Sequence, residues 1–300
     1  MKIFPVAIFA YNRPYHLQQL LNSLMENYLS SETDVTIFID KFNDTEIHNE
    51  VVKIAKEERG FKSSSIVIQE TNIGLKSHLK YGINKTFENN NAVIILEDDL
   101  VLDKYFLEFM NRSLNMYEKE KRIFHINGWS YPQISFRQKQ NIIGKLAAPW
   151  GWGTWKDRWQ DFEINYTNSD LINGENQDTI DNFNFYNLAN FSRQLIANSN
   201  EEISTLDIFW YQYIFVKKGL TVFPEKSLVS NSGFDGSGMH CGISDKYEYN
   251  LTNKPLKKYS NNLNIDKLNN ISTYYFYLKL KIKDYLSYHS KKIISRFVSS

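Results

Sequence analysis

The run Ala92-Val93-Ile94-Ile95-Leu96-Glu97-Asp98-Asp99-Leu100-Val101-Leu102 decides the fold. Five successive apolar residues without polar alternation predict a strand at the centre of a sheet, covered on both faces. The strand ends in three adjacent acids, Glu97, Asp98 and Asp99. In an open parallel sheet, ligands bind in the crevice beyond the carboxyl ends of the strands, so these acids point at a substrate site. Three neighbouring carboxylates on a buried strand repel one another unless a cation or hydrogen bonds compensate.

On the N-terminal side of this run, β-branched stretches alternate with helical patterns, the sequence form of βαβ units. Val6 to Ala10 is a predicted strand, and Pro14 suits a first helical position. Leu17, Leu20, Leu21, Leu24 and Met25 then recur on one helical face. Val35 to Ile39 is a second strand, ending in Asp40, and Thr45 to Arg59 a helix stopped by Gly60. Ser65 to Gln69 is a third strand, followed by a helix carrying Leu75, Leu79, Ile83 and Phe87. On the C-terminal side come a helix around Lys104 to Tyr117 and a strand from Ile123 to Asn127, with His125 as a core histidine.

Five of the six tryptophans then fall between Trp129 and Trp159. The expected organisation is a first half at 1–128, a substrate-facing half of the same domain at 129–253 and a basic, aromatic helical extension at 254–300. Helical hints occur around Phe183 to Ile196, Asp207 to Val216 is a predicted helix, and Ser227 to Gly242 is a Gly/Ser-rich loop.

Across its 300 residues the chain is 42% hydrophobic and 15% aromatic, enough for a substantial core and incompatible with disorder. Thirty-five basic and 34 acidic residues leave a net charge of +1, so no global attraction to nucleic acid is encoded. One cysteine, Cys241, excludes an intramolecular disulfide framework and is read as structural. The opening apolar stretch, broken by Pro5 and ended by Asn12-Arg13, falls short of the roughly 20 residues a membrane span needs. Neither a signal peptide nor a transmembrane helix is expected, and the expected location is the cytoplasm.

From residue chemistry alone, Asp99, with Glu97, could supply oxygen to Mg²⁺ or Mn²⁺, or Asp98 and Asp99 could cap the following helix. No Walker loop or dinucleotide fingerprint is present. Trp150, Trp152 and Trp155, interleaved with Gly151 and Gly153, could stack on a sugar or fill a core.

Several segments together resemble a family. PVAIFAYNRPYHLQQLLNSL (5–24), the strand ending in Asp40, NIGLKSHLKYGI (72–83) and AVIILEDDLVLDKYFLEFMN (92–111) are similar to glycosyltransferases of the GT-A fold. The acidic triplet resembles the EDD form of the DxD motif in animal N-acetylglucosaminyltransferase I and its relatives. APWGWGTWKDRW (148–159) resembles bacterial transferases that build lipopolysaccharide or capsular glycans. The likeness covers about residues 3 to 242.

The resemblance implies an α/β, GT-A fold with a mostly parallel central sheet flanked by helices. It implies a metal-dependent inverting transfer of a sugar from a nucleotide sugar, with UDP favoured, to a glycan or lipid-linked glycan acceptor. It assigns the metal, Mn²⁺ or Mg²⁺, to Asp99, and the donor nucleotide to Tyr11, Arg13, Asp40, Lys76, Glu97 and Asp98. For Arg13 and Asp40 the alternatives are a surface ion pair or a loop cap. The family's catalytic base lies in a helix start such as FWDDW. Here the stretch is Thr205-Leu206-Asp207-Ile208-Phe209-Trp210, with Asp207 before Phe-Trp instead of after it, so helix capping by Thr205 or Asp207 competes with a basic role. Asp161, Asp235 and Glu202 are the next candidates. His240, in NSGFDGSGMHCG (231–242), aligns with a loop that closes over the diphosphate in similar enzymes; the alternative is a solvated histidine.

Two rivals remain. A nucleotidyltransferase would carry a Gly-rich basic loop after the first strand, where this chain has Tyr11-Asn12-Arg13. A non-catalytic carbohydrate-binding protein would account for the tryptophans but not for the acids at strand ends. Beyond the resemblance, Tyr275, Leu278, Ile282, Tyr285 and Leu286 form an apolar stripe flanked by lysines. That composition predicts either a helix lying peripherally on an anionic membrane, at its inner face, or one packed on the domain.

Overall fold

The computed structural model describes residues 1–133, 140–163, 168–174, 176–236 and 249–298. In chain order the elements are β1 (Val6–Ala10), α1 (Pro14–Met25), β2 (Asp34–Ile39), α2 (Thr45–Lys56), β3 (Ser63–Ile68), α3 (Leu75–Phe87), β4 (Ala92–Glu97), β5 (Leu100–Leu102), α4 (Phe106–Tyr117) and β6 (Ile123–Asn127). They continue with β7 (Ile142–Gly144), β8 (Trp152–Trp155), α5 (Lys156–Trp159), α6 (Ser169–Ile172), α7 (Gln177–Phe183), α8 (Phe191–Ser199), α9 (Asp207–Val216), β9 (Leu220–Phe223), β10 (Val229–Asn231) and α10 (Lys267–Val298).

Among the described residues the central sheet has eight strands in the order β3-β2-β1-β4-β8-β6-β9-β7. β3, β2, β1 and β4 pair in parallel, as do β6 and β9, while β8 and β7 run antiparallel to their neighbours. The protein is thus α/β, with a mostly parallel sheet flanked by helices. The two sequence halves share this one sheet, because β8 is inserted between β4 and β6. A small antiparallel pair, β10 with β5, sits at the carboxyl end of β4.

The apolar residues of β4 are fully buried, as their uninterrupted run requires. Helix α1 starts at Pro14 and buries Leu17, Leu20, Leu21 and Leu24, each worth about 2 kcal/mol of transfer free energy. Met25, assigned to that face from its spacing, is instead exposed at the helix end.

Helix α2 stops at Lys56 rather than at Arg59. Glu57 turns extended, and the Arg59 guanidinium folds back to donate to the Ile54 and Glu57 carbonyls at 2.6 and 3.0 Å, satisfying helix-end acceptors. The helical hint over 183–196 resolves into α7 and α8. Phe185, Tyr186 and Asn187 between them are left-handed, with φ of 50°, 59° and 57°. Asn184 bridges the break by bonding both the backbone N–H and the hydroxyl of Ser192 at 2.8 Å. The segment read as an irregular loop from Ser227 contains β10, because β5 offers it a free edge.

Helix α3 approaches β1 closely at Gly82. A Cβ there would lie 2.5 Å from the Phe9 ring, which is itself stacked on Phe38. Gly82→Ala is therefore expected to destabilise the fold by about 1–3 kcal/mol through overpacking, read as a lowered urea midpoint at unchanged slope.

Candidate active site

Register pairs Phe9 of β1 with Glu97 of β4, so the chain leaving β1 passes beside the acidic triplet. There the Arg13 Nη2 donates to Asp98 Oδ1 at 2.6 Å and to Asp99 Oδ2 at 3.1 Å. The Tyr11 N–H adds a 3.3 Å bond to Asp98 Oδ2. Burial by itself would weaken Arg13's hold on its proton, but Asp98 and Asp99 outweigh it and push the guanidinium pKa up. The Glu97 carboxyl is held well above the usual range, first by burial and then by the charges of Asp99, Asp207 and Asp98, with Arg13 opposing. Burial also raises Asp98, against the pull of Arg13.

Asp207 acts on Glu97 from more than a hundred residues away in sequence. It is the first residue of α9, where a carboxylate is favoured by the helix dipole. The Ncap residue is Leu206, which offers no side-chain cap. Thr205 is bonded instead to Asn198, its N–H to Oδ1 at 2.8 Å and its hydroxyl to Nδ2 at 3.2 Å. Lys76, on the first turn of α3, holds its ammonium 5.3 Å from the centre of the Phe209 ring in α9.

Asp40 closes β2 among backbone donors. It is 3% exposed, and its carboxylate accepts from the N–H groups of Lys41, Ile73 and Gly74 at 2.9, 3.0 and 3.0 Å. It thereby ties the end of β2 to the start of α3, where Gly74 has φ 76°. This is a loop-cap geometry. Tyr11 packs edge-on against Phe42 at 5.0 Å, and its hydroxyl accepts from Asn72 at 2.8 Å. Phe42 carries no motif and escaped the sequence reading.

Two of the three tryptophans are interior. Trp152 and Trp155 are 4% and 1% exposed, since β8 is covered on both faces, so neither presents a wall to a sugar. Trp150 is half-buried, edge-on to Trp129 at 4.9 Å. Trp152 stacks on His125 at 5.0 Å and on Trp210 of α9 at 5.8 Å. The Trp210 indole donates to His125 Nδ1 at 3.1 Å, which fixes the proton on Nε2, facing the Ala148 carbonyl at 3.2 Å. This aromatic floor sets the position of the helix that begins with Asp207.

The segment after β10 covers the acids from above. The Ser232 N–H and hydroxyl both donate to the Asp99 carbonyl at 2.9 Å. At Gly233 an added Cβ would lie 2.1 Å from Asp99 Oδ2, so a side chain there would displace the carboxylate. Beyond it, His16 Nε2 meets Asp235 Oδ2 at 3.3 Å. Neither Ser232 nor Gly233 was singled out from the sequence, although the Asn-Ser-Gly triplet after an apolar run was a usable signal. His240 and Cys241 lie outside the described residues. Asp161 and Glu202 are not among the residues brought to the triplet.

No protein-family model matches the chain. Solved structures similar to it include TarS of S. aureus, with 15% identity, TM-score 0.45, 78% of this chain covered and 37% of that one. GalNAc-T7 with UDP, GalNAc and Mn²⁺ gives 10%, 0.48, 76% and 44%. The mannosyltransferase PcManGT of Pyrobaculum calidifontis, in complex with GDP-Man and Mn²⁺, gives 12%, 0.38, 52% and 45%. The chain spans less than half the length of each.

His125 titrates at about 4, lowered from 6.5 mainly by burial, with the bonds to Asn127 and Ala148 opposing. A folded value below the unfolded one contributes stability that is complete above pH 6.5 and lost as the pH falls toward 4. The loss amounts to about 3 kcal/mol. Unfolding free energies measured across that range should therefore decline less steeply for His125→Gln, which keeps a donor and an acceptor but does not titrate.

Proposed function

We propose that the chain is a GT-A glycosyltransferase that moves a sugar, with inversion, from a nucleoside-diphosphate sugar to a glycan hydroxyl. UDP is the favoured nucleotide, by resemblance of the sequence. The observation that carries the reading is the buried acidic triplet at the end of β4, in which one guanidinium faces Asp98 and Asp99 and the charge of Asp207 is felt at Glu97. A transfer of this kind needs an acid-lined cation site and a separate carboxylate for the acceptor proton.

The residues fit a hard divalent cation. Among the described residues no three His, Cys, Asp or Glu side chains form a complete site. A cation in this setting takes one or two carboxylate oxygens and completes its shell from phosphates and water. Asp99 and Glu97 would hold it. A bound Mn²⁺ or Mg²⁺ would supply positive charge to offset the negative charge of the leaving diphosphate.

The remaining roles belong to the chain itself. Asp207 accepts the proton of the attacking acceptor hydroxyl as the new glycosidic bond forms. Arg13 orients Asp98 and Asp99, and Lys76 adds positive charge on the α9 side. Tyr11 and Phe42 offer aromatic surface at the strand ends, where a nucleobase would lie. Ser232 and Gly233 fix the backbone over Asp99 and limit access of water. A lipid-linked acceptor in the synthesis of bacterial surface glycans suits this chemistry. A nucleotidyltransferase is disfavoured because the segment after β1 commits its one arginine to Asp98 and Asp99.

Calorimetry on Asp99→Ala tests the cation site: Mn²⁺-dependent UDP binding should vanish. Unchanged affinity in Mn²⁺ would remove Asp99 from it. For Asp207→Asn, donor binding should persist while turnover falls at least about 100-fold, as expected for a group needed only in the transition state. A variant within threefold of wild type would mean that the base lies elsewhere. The absence of any nucleotide-dependent thermal shift, with or without Mn²⁺, would overturn the transferase reading as a whole; a ligand at about 100 times its Kd adds about 2.7 kcal/mol.

A further inference from the structure

Helix α10 has two apolar faces, and the domain uses one. Ser272 and Thr273 are buried, and Phe276 and Tyr277 pack against the core, all within one helical stripe. The rotation of the helix is fixed on that side. The Tyr277 hydroxyl meets that of Tyr131 at 3.0 Å, Asn269 Oδ1 accepts from Gln133 at 2.9 Å, and Asn270 Nδ2 donates to the Tyr186 hydroxyl at 3.2 Å. The Lys281 ammonium donates to the Asn187 carbonyl at 2.7 Å, on the left-handed turn between α7 and α8.

At 100° per residue, Ile271, Tyr274, Tyr275, Ile282, Tyr285 and Leu286 fall on the opposite side. They are 47%, 39%, 56%, 51%, 63% and 61% exposed. Side chains that large are exposed one by one on any surface, but here they form a continuous stripe. The same spacing puts Lys279 along one border of the stripe and Lys281 along the other. Past Lys281 the helix continues for about 25 Å, to Val298.

We infer that the outer face of α10 docks on an anionic lipid surface, lying in the interface while its inner face stays on the domain. No described helix is long and apolar enough to cross a membrane, so α10 lies on the bilayer and does not span it. Charge selects the occupant. From Lys279 to Phe297 the sequence has six Lys or Arg against one acid, Asp284, which suits anionic headgroups. A second copy of the helix would set these cations against one another. The tyrosines suit the headgroup depth, where an apolar ring and a polar tip are both accommodated. The inference does not depend on the transferase reading.

Co-sedimentation of the full chain with phosphatidylcholine vesicles, with and without phosphatidylglycerol, tests it. Binding is expected at low salt to the anionic vesicles alone, and release as salt rises. Ile282→Glu with Leu286→Glu should lower partitioning at least about tenfold while leaving the thermal melt unchanged, since both side chains are exposed. If that pair fails to fold, Tyr285→Ser with Leu286→Ser serves the same measurement. A wild-type chain that ignores anionic vesicles at low salt overturns the inference, as does a folded double variant that binds them like wild type. A wild-type dimer in light scattering that the double variant dissolves would assign the face to a second copy instead, and would also overturn it.

Discussion

Negative charge crowded at the end of a buried strand is the constraint around which this protein is arranged. β4 can lie between two other strands because its body is wholly apolar, and its acids are confined to one end. The neighbouring strand supplies the first compensation. β1 runs parallel to β4, so the residues following it arrive at the triplet, and Arg13 spreads one guanidinium over two carboxylates. The segment after β10 supplies the second by bonding the Asp99 carbonyl and fixing the backbone that carries the acid. Glu97 is still held toward its neutral form, because burial and the neighbouring acids outweigh the opposing charge of Arg13.

A second arrangement, of rings instead of charges, holds the opposite wall. His125, Trp152 and Trp210 come from β6, β8 and α9 and are joined by stacking and by one indole hydrogen bond. Because Trp210 lies one turn beyond Asp207, the packing of this cluster decides where that carboxylate points. Acid and floor are thus one mechanical unit: the position of a catalytic candidate is set by a neutral, buried histidine that touches no substrate.

Much of this was legible in the sequence because periodicity is local. β4, α1 and α9 could be read from runs and spacings, and the triplet from its place after an apolar run. What escaped was non-local. Nothing in Trp-Gly-Thr-Trp says that β8 will be inserted antiparallel between β4 and β6, and aromatic residues beside glycines have the same composition whether they line a pocket or fill a core. At Asp40 the sequence leaves two readings for a related reason: an acid at a strand end serves a ligand or a neighbouring loop with equal chemistry. Its partners, the N–H groups of Ile73 and Gly74, are more than thirty residues away. Phe42 and Ser232 became visible only once the strand ends were assembled.

The insertion of β8 also governs how the molecule is made. β4 and β6 never touch; each waits for a strand that is synthesised later than both. Until residues 152–155 leave the ribosome, the chain therefore carries an apolar strand with an unpaired edge, the kind of surface that recruits other chains. Pairings this far apart in sequence form slowly. A fragment ending near residue 128, where the composition changes, would keep the acids and lose the strand that closes the sheet beside them. Composition marks a seam there, but the hydrogen bonds cross it, and the smallest unit that folds must include both sides.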